Sequence, residues 1–91
     1  MGLEDAFNFA AERVKEETSM SNENQLALYA NFKQAKFGDC NTKRPGGLLA
    51  MKDKAKWDAW NEKKGVSKEQ AMRDYIAKVD AICGTNIAST V

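Results

Sequence analysis

Apolar residues recur along most of this chain at the three- and four-residue spacing that places side chains on one face of a helix. The first run extends from about Leu3 to Glu17, with the acids Glu4 and Asp5 near its start, where the helix dipole favours them. The pattern therefore predicts an amphipathic helix over residues 3–17. Its apolar positions are Leu3, Ala6, Phe7, Ala10, Ala11 and Val14.

The second run predicts a helix over residues 22–37. Ser21 and Asn22 are both favourable N-cap residues, and Gln25 can complete a capping box with Asn22. Gly38 then supplies a natural C-terminal stop.

The second half of the chain predicts one loop and two further helices. Residues 38–50, with their Pro-Gly-Gly turn, predict the long loop, and residues 51–63 predict the third helix. The fourth, over residues 67–83, opens with the capping-box pattern S-K-E-Q, and residues 85–91 predict a frayed tail. Since no alternating strand pattern occurs, we expect an all-α fold of four helices in a single domain spanning residues 1–91.

Aromatic and basic residues share one side of the second predicted helix. At about 100° per residue, Tyr29, Phe32, Lys33 and Lys36 fall within roughly 100° of each other. Lysine stems lying over aromatic rings would explain this stripe, and so would a ligand that combines a flat ring with negative charge. A nucleotide is such a ligand, because its base can stack while ammonium groups neutralise its phosphates.

Charge is distributed unevenly along the 91 residues. Residues 33–56 hold seven basic against two acidic residues, a net of +5, whereas the remainder holds seven basic and eleven acidic residues, a net of −4. A basic middle in a protein with a net charge of +1 suggests a small anionic ligand more than duplex DNA. Solvated lysines are the simpler alternative.

The composition argues against several kinds of chemistry. The chain has no histidine, and Cys40 and Cys83 are far apart, so we expect no metal site and no cofactor. Two free thiols in the cytosol are expected, and one disulfide between the two cysteines is the alternative. No phosphate-loop motif and no evident nucleophile–base pair occur, so we expect a binding protein without catalytic residues. Trp57 and Trp60 are interpreted as core anchors. No apolar run is long enough to span a membrane, and at most transient membrane contact is expected.

Two other binding functions fit the same stripe. A helical protein-interaction module could dock an acidic partner on it. Single-stranded nucleic acid could stack on Tyr29 and Phe32, although the acidic remainder of the chain counts against this, and we expect no nucleic-acid partner.

Two segments of the chain closely resemble the acyl-CoA-binding protein family. They are LALYANFKQAKFGDCNTKRPG and KAKWDAWNEKKGVSKEQAMRDYIAKV, and the resemblance extends over roughly Phe7 to Ile82. The combination of YxxFKQAxxGDxN with KAKWDAWN and SKEQAMxxYI is highly specific. The resemblance implies a four-helix bundle in up-down-down-up order and a monomeric, non-enzymatic carrier of long-chain fatty acyl-CoA thioesters.

The resemblance also implies roles for individual residues. Tyr29, Lys33 and Lys56 would meet the adenosine 3′-phosphate, with Tyr29 also near the adenine. Lys15 and Lys52 would lie near the remaining phosphates or the thioester. The remaining implied contacts are made by Phe32, stacking on the ligand, and by Tyr75, from across the groove.

The chain departs from the family pattern at two places that bear on the ligand. The family usually has tyrosine where this chain has Phe32, so the ring can stack but a hydroxyl contact is lost. The segment around residues 46–51 is one residue longer and lacks an acid. We hypothesise that its apolar residues Leu48, Leu49 and Met51 contact the acyl chain; packing against the bundle is the alternative.

Overall fold

The computed structural model describes residues 1–47 and 50–91 and consists of helices joined by short links and one loop. A 3₁₀ helix, Ile87–Thr90, follows the last α-helix, and no strand occurs in the two described ranges. The all-α prediction with four α-helices is therefore confirmed. The α-helices are α1 (Leu3–Val14), α2 (Asn22–Phe37), α3 (Met51–Asn61) and α4 (Lys68–Cys83).

The helices are arranged in the spatial order α3–α2–α4–α1. Helix α4 packs against both α1 and α2, and α2 packs against α3 on its other side. The core lies mainly between α1, α2 and α4. It consists of the buried residues Ala6, Phe7, Ala10, Leu28, Ala35, Ala71, Tyr75, Ile76, Val79 and Ile87.

Contacts between side chains show that α2 and α3 are parallel. Leu26 and Met51, near the starts of the two helices, line the same groove. Lys33 and Trp60, near their ends, are also neighbours, with the ammonium 5.6 Å from the ring centroid. Helices α1 and α4 are also parallel. Phe7 contacts Tyr75 in the middle of the two helices. Near their ends, burial raises the pKa of the Cys83 thiol, and the charge of the nearby Arg13 side chain acts to lower it.

A polar link fixes α2 against the start of α4. The Gln34 Nε2 atom donates to the Val66 carbonyl at 2.8 Å and to Asp39 Oδ1 at 2.9 Å. The same Asp39 oxygen accepts a 2.8 Å hydrogen bond from the Gly65 backbone N–H. That bond, followed by the one from Gln34, lowers the pKa of Asp39. Because the end of α2 thereby meets the beginning of α4, the two helices are antiparallel, and the up-down-down-up order is confirmed.

The two tryptophans attach α3 to the loop that precedes it. Trp60 is buried and its Nε1 donates to the Gly38 carbonyl at 2.9 Å. Trp57 is half-buried and its Nε1 donates to the Thr42 carbonyl at 3.0 Å. The interpretation of tryptophans as core anchors thus holds for Trp60 and only partly for Trp57.

The ends of two helices differ from the sequence prediction. Helix α1 ends at Val14, and the residues up to Glu17 form turns in which Glu16 and Glu17 donate to the carbonyls three residues earlier. The third helix likewise ends at Asn61, two residues before the predicted Lys63. In both places the tighter i→i+3 hydrogen bonds close the last turn.

The N-caps of α2 and α4 are serines. Ser21 Oγ accepts from the Asn24 N–H at 3.1 Å, so the predicted capping box of Asn22 with Gln25 is wrong. The Gln25 side chain instead donates to the Met20 carbonyl. Ser67 caps α4 as predicted, by accepting from the Gln70 N–H, but the Gln70 side chain donates to Asp74 Oδ1 and does not complete the capping box.

The C-terminal segment is ordered, contrary to the predicted frayed tail. The Asp80 carboxylate accepts hydrogen bonds from the Ile87 N–H at 2.8 Å and the Ala88 N–H at 3.0 Å, and from Thr85 Oγ1. Ile87 is buried in the core, and the Met1 ammonium donates to the Thr90 carbonyl. Because these bonds satisfy the first amides of the 3₁₀ helix, the segment packs on the bundle.

We expect Asp80→Asn to reduce the free energy of unfolding at pH 7 by about 1 kcal/mol. Partial burial acts to raise the pKa of Asp80, but the bonds from Thr85, Ala88 and Ile87 outweigh it and hold the pKa below its ordinary value. The carboxylate therefore stabilises the fold fully above the unfolded-state pKa of about 3.9, and this stability is lost as the pH falls through the lower folded-state pKa. Urea denaturation at pH 7 and near pH 2.5 measures the free energy of unfolding of both proteins. If variant and wild type differed in this free energy by the same amount at both pH values, the prediction would be contradicted.

A matched pair of substitutions tests the tryptophan anchors. Trp60→Phe should lower the free energy of unfolding by about 2–3 kcal/mol, because a buried hydrogen bond and buried ring volume are both lost. Trp57→Phe removes a hydrogen bond of similar length from a half-buried ring, so we expect a loss of about 1 kcal/mol. Urea denaturation followed by circular dichroism measures both, and equal losses would show that burial does not distinguish the two anchors.

Candidate ligand-binding site

Two ammonium groups lie against one tyrosine at the junction of α2 and α3. Lys33 Nζ is 5.6 Å and Lys56 Nζ is 5.5 Å from the centroid of the Tyr29 ring. Lys33 Nζ also lies 4.9 Å from the Phe37 ring. We call Tyr29, Lys33 and Lys56 the tyrosine platform. Its geometry follows from the i, i+4 spacing on α2 and from the parallel course of α3.

The tyrosine platform is suited to a planar anion. Ammonium groups over aromatic faces are held by the ring quadrupole, while their remaining N–H groups stay available as donors. No ion pair in the described ranges includes Lys33 or Lys56. The two positive charges are therefore not neutralised by a neighbouring carboxylate there.

Three rings form a second cluster at the junction of α1, α2 and α4. The Phe7 centroid lies 5.0 Å from that of Tyr75, edge-on, and 5.7 Å from that of Phe32, stacked. We call these three residues the phenylalanine cluster. Tyr75 is buried, and this burial, with a smaller effect of Cys83, raises the pKa of its phenol. Phe32, in contrast, is half-exposed and can offer part of its ring to a ligand.

Lys36 extends over the phenylalanine cluster. Its Nζ lies 5.7 Å from the Phe7 centroid and 5.8 Å from the Phe32 centroid. The helical stripe that contains Tyr29, Phe32, Lys33 and Lys36 thus divides into two ring-and-ammonium contacts. Lys36 was part of the sequence stripe but not of the predicted site.

Two surface grooves meet at Lys56. The first, which we call the apolar groove, has a volume of about 320 Å³ and lies between the starts of α2 and α3. It is lined by Asn22, Gln25, Leu26, Met51, Lys52, Ala55 and Lys56. The second, the loop groove, has a volume of about 240 Å³ and includes Tyr29, Lys56 and Trp60. Lys56 therefore lies where an apolar surface adjoins the tyrosine platform.

An ion pair holds the loop beside these grooves. The Arg44 guanidinium donates to both carboxylate oxygens of Asp58, at 2.9 and 3.0 Å. These hydrogen bonds keep the pKa of Asp58 below its usual value. The paired guanidinium connects the loop to α3, so Arg44 is already occupied, unlike the lysines of the platform.

The structure brings the predicted site residues together only in part. Lys52 and Met51 line the apolar groove, and the Met51 side chain is 75% exposed. Lys15 is paired with Glu12 at 3.2 Å at the end of α1, and it lines a depression with Phe9 and Arg13 that is separate from the two grooves at Lys56. Leu48 and Leu49 lie outside the described residues.

Other features bear on the predicted absences. Among residues 1–47 and 50–91, no three acidic, cysteine or histidine side chains are grouped so that they could hold a metal ion. Cys40 and Cys83 are both free thiols. No helix in the described part of the chain is long and apolar enough to cross a membrane.

Comparisons with known proteins agree with this arrangement of helices. The sequence model for "Acyl CoA binding protein" matches residues 4–79. "Acyl-CoA-binding domain-containing protein 1" of Oryza sativa subsp. japonica is 55% identical over 80 residues, which cover 87% of this chain and 87% of that protein. "Acyl-CoA-binding protein" of Ricinus communis is 48% identical over 90 residues, which cover 98% and 99% of the two chains.

A solved structure is similar as well. The crystal structure of Acyl-CoA-Binding Protein 2 of Oryza sativa has a TM-score of 0.86 at 46% sequence identity, over 92% of this chain and 91% of that one. Both the sequence match and the common helix arrangement extend over nearly the whole chain. On these grounds the chain belongs to the acyl-CoA-binding protein family.

Proposed function

We propose that this protein is a non-enzymatic cytosolic carrier that binds long-chain acyl-CoA thioesters as a monomer. Its family membership supports the ligand class. The single observation that carries the proposal is the position of Lys56, which belongs both to the tyrosine platform and to the apolar groove. An amphiphilic ligand with an anionic nucleotide and an apolar tail matches both surfaces at once.

In this proposal the tyrosine platform holds the nucleotide end. Tyr29 lies near the adenine and, with the ammonium groups of Lys33 and Lys56, meets the 3′-phosphate. Their availability supports this role, because no carboxylate of the described residues pairs with either group. A CoA ester carries about four negative charges, so the net charge of +5 on residues 33–56 favours its association.

Lys52, Lys15 and the phenylalanine cluster complete the proposed contacts. Lys52 lines the apolar groove next to Lys56, which supports a contact with the remaining phosphates or the thioester. Lys15 would have to leave Glu12, which costs little because an exposed ion pair contributes only about 0–1 kcal/mol. Phe32 stacks on the ligand, and Tyr75, whose ring centroid lies 6.0 Å from that of Phe32, contacts the ligand from across the groove.

The acyl chain is assigned to the apolar groove. Its surface includes Leu26, Ala55 and the largely exposed Met51, which would gain burial on binding a hydrocarbon chain. The apolar pair Leu48 and Leu49 directly precedes Ala50 and Met51 in the sequence, and we propose that both contact the chain as well. The protein is proposed to shield the thioester and not to cleave it, since the sequence offers no histidine base.

The dependence of affinity on acyl length tests the function. Each buried methylene contributes about 0.8 kcal/mol, so we expect affinity to rise roughly fourfold per added carbon until the groove is full. Calorimetric titration with octanoyl-, decanoyl-, dodecanoyl- and tetradecanoyl-CoA measures this, with free coenzyme A and free fatty acid as controls. Affinity that does not change with acyl length would instead favour an interaction module that docks an acidic partner.

Removal of the platform charges tests the site. We expect Lys33→Ala and Lys56→Ala each to weaken dodecanoyl-CoA binding by about tenfold or more, because each loses a charge-assisted bond to phosphate. Arg73→Ala is the matched control, because this substitution also removes one positive charge, from an exposed position on α4. Thermal melts of all three variants verify that the fold is intact. Unchanged affinity in the two lysine variants would remove the platform from the site.

A further inference from the structure

Lys36 occupies a different position from the two lysines of the tyrosine platform. Lys33 and Lys56 lie against Tyr29 at the α2–α3 junction. Lys36 lies over Phe7 and Phe32, on the side of α2 that faces α1 and α4. Helix α2 therefore directs one ammonium towards α3, that of Lys33, and another towards α1, that of Lys36.

The Lys36 side chain is exposed, and its ammonium is not used by the fold. No ion pair and no hydrogen bond among the described residues includes it. Its contacts are with two rings, which orient the side chain without satisfying its three N–H donors. Such an ammonium can bind an anion at a lower entropic cost, because its side chain loses less conformational freedom on binding.

Phe32 connects Lys36 to the proposed ligand. The ring is part of the predicted site and is half-exposed, and the ammonium of Lys36 lies 5.8 Å from its centroid. A ligand that stacks on Phe32 consequently places its neighbouring polar groups within reach of Lys36. Lys33 and Lys56 together serve one phosphate at Tyr29, so the charge of Lys36 at Phe32 can join that of Lys52 at another phosphate.

We propose that Lys36 is a further ligand-binding residue, whose ammonium contacts the diphosphate of the CoA ester while Lys33 and Lys56 hold the 3′-phosphate. The proposal rests on the function proposed above. It assigns a role to the one member of the ring-and-lysine stripe that the predicted site left out. It also divides the phosphates of the ligand between the tyrosine platform and Lys36.

The first experiment compares single-charge variants in calorimetric titrations with dodecanoyl-CoA. We expect Lys36→Gln to weaken binding about fivefold at low ionic strength, and Lys36→Arg to stay within about twofold of wild type, since the charge is retained. Arg73→Gln is the control for loss of one positive charge, because Arg73 lies roughly 160° around α4 from Tyr75, and it should change affinity by less than about 1.5-fold. Wild-type affinity in Lys36→Gln, or an equal loss in Arg73→Gln, overturns the proposal.

The second experiment separates the two phosphate groups with dodecanoyl-dephospho-CoA, which keeps the diphosphate and lacks the 3′-phosphate. The fivefold effect of Lys36→Gln should persist with this ester, whereas the effect of Lys33→Gln should disappear. If the Lys36→Gln effect disappears instead, the diphosphate assignment is wrong. Wild-type protein that fails to bind dodecanoyl-CoA overturns the proposed function itself, so the two failures are distinguishable.

Discussion

The alignment of helices depends on one buried amide, that of Gln34. Its Nε2 atom, near the end of α2, donates hydrogen bonds to the Val66 carbonyl and to Asp39. Asp39 also accepts a hydrogen bond from the Gly65 N–H. Gln34 is fully buried, and its Oε1 atom has no hydrogen-bond partner among the described residues, so loss of the Nε2 bonds would leave a second polar atom without compensation. These bonds fix the link between α3 and α4 against the end of α2. The parallel course of α2 and α3, and with it the position of Lys56 over Tyr29, follows from that arrangement.

The second constraint is that α2 has neighbours on two sides and must still carry exposed charge. Its buried positions face α4 and include Leu28 and Ala35, whereas Tyr29 and Lys33 face α3. Lysine side chains meet both requirements on α2. Their stems bury apolar surface against the aromatic rings, and their ammonium groups lie over the ring faces in contact with water. The same arrangement that permits packing therefore also presents cations to a ligand.

The sequence predicted the number and extent of the helices well, but it did not predict the hydrogen bonds that close helix ends and order the C-terminal segment. The bounds of α2 match because an apolar stripe, a serine cap and a terminal glycine all agree on them. The end of α1 was placed too late, because apolar spacing cannot distinguish an α-helical turn from the i→i+3 turns up to Glu17. The ordered tail was missed because Asp80 caps amides seven and eight residues away, a contact that leaves no local pattern. Within the candidate site, helical spacing predicted that Tyr29 and Lys33 share one face of α2. The assignment of Lys56 came from the family resemblance, because its position beside Tyr29 depends on how two helices align.

The position of α3 at the edge of the molecule has a consequence for kinetics. Within residues 1–47 and 50–91, this helix contacts only α2 among the helices, and no described helix covers the apolar groove or the tyrosine platform. A ligand can reach them without separating any packed helices, and encounter then proceeds at a rate set by diffusion and by steering from the basic segment. The residence time of each cargo molecule would accordingly be decided by how much of its tail the groove covers. Transfer of the ligand from this carrier to an acceptor would require no separation of packed helices.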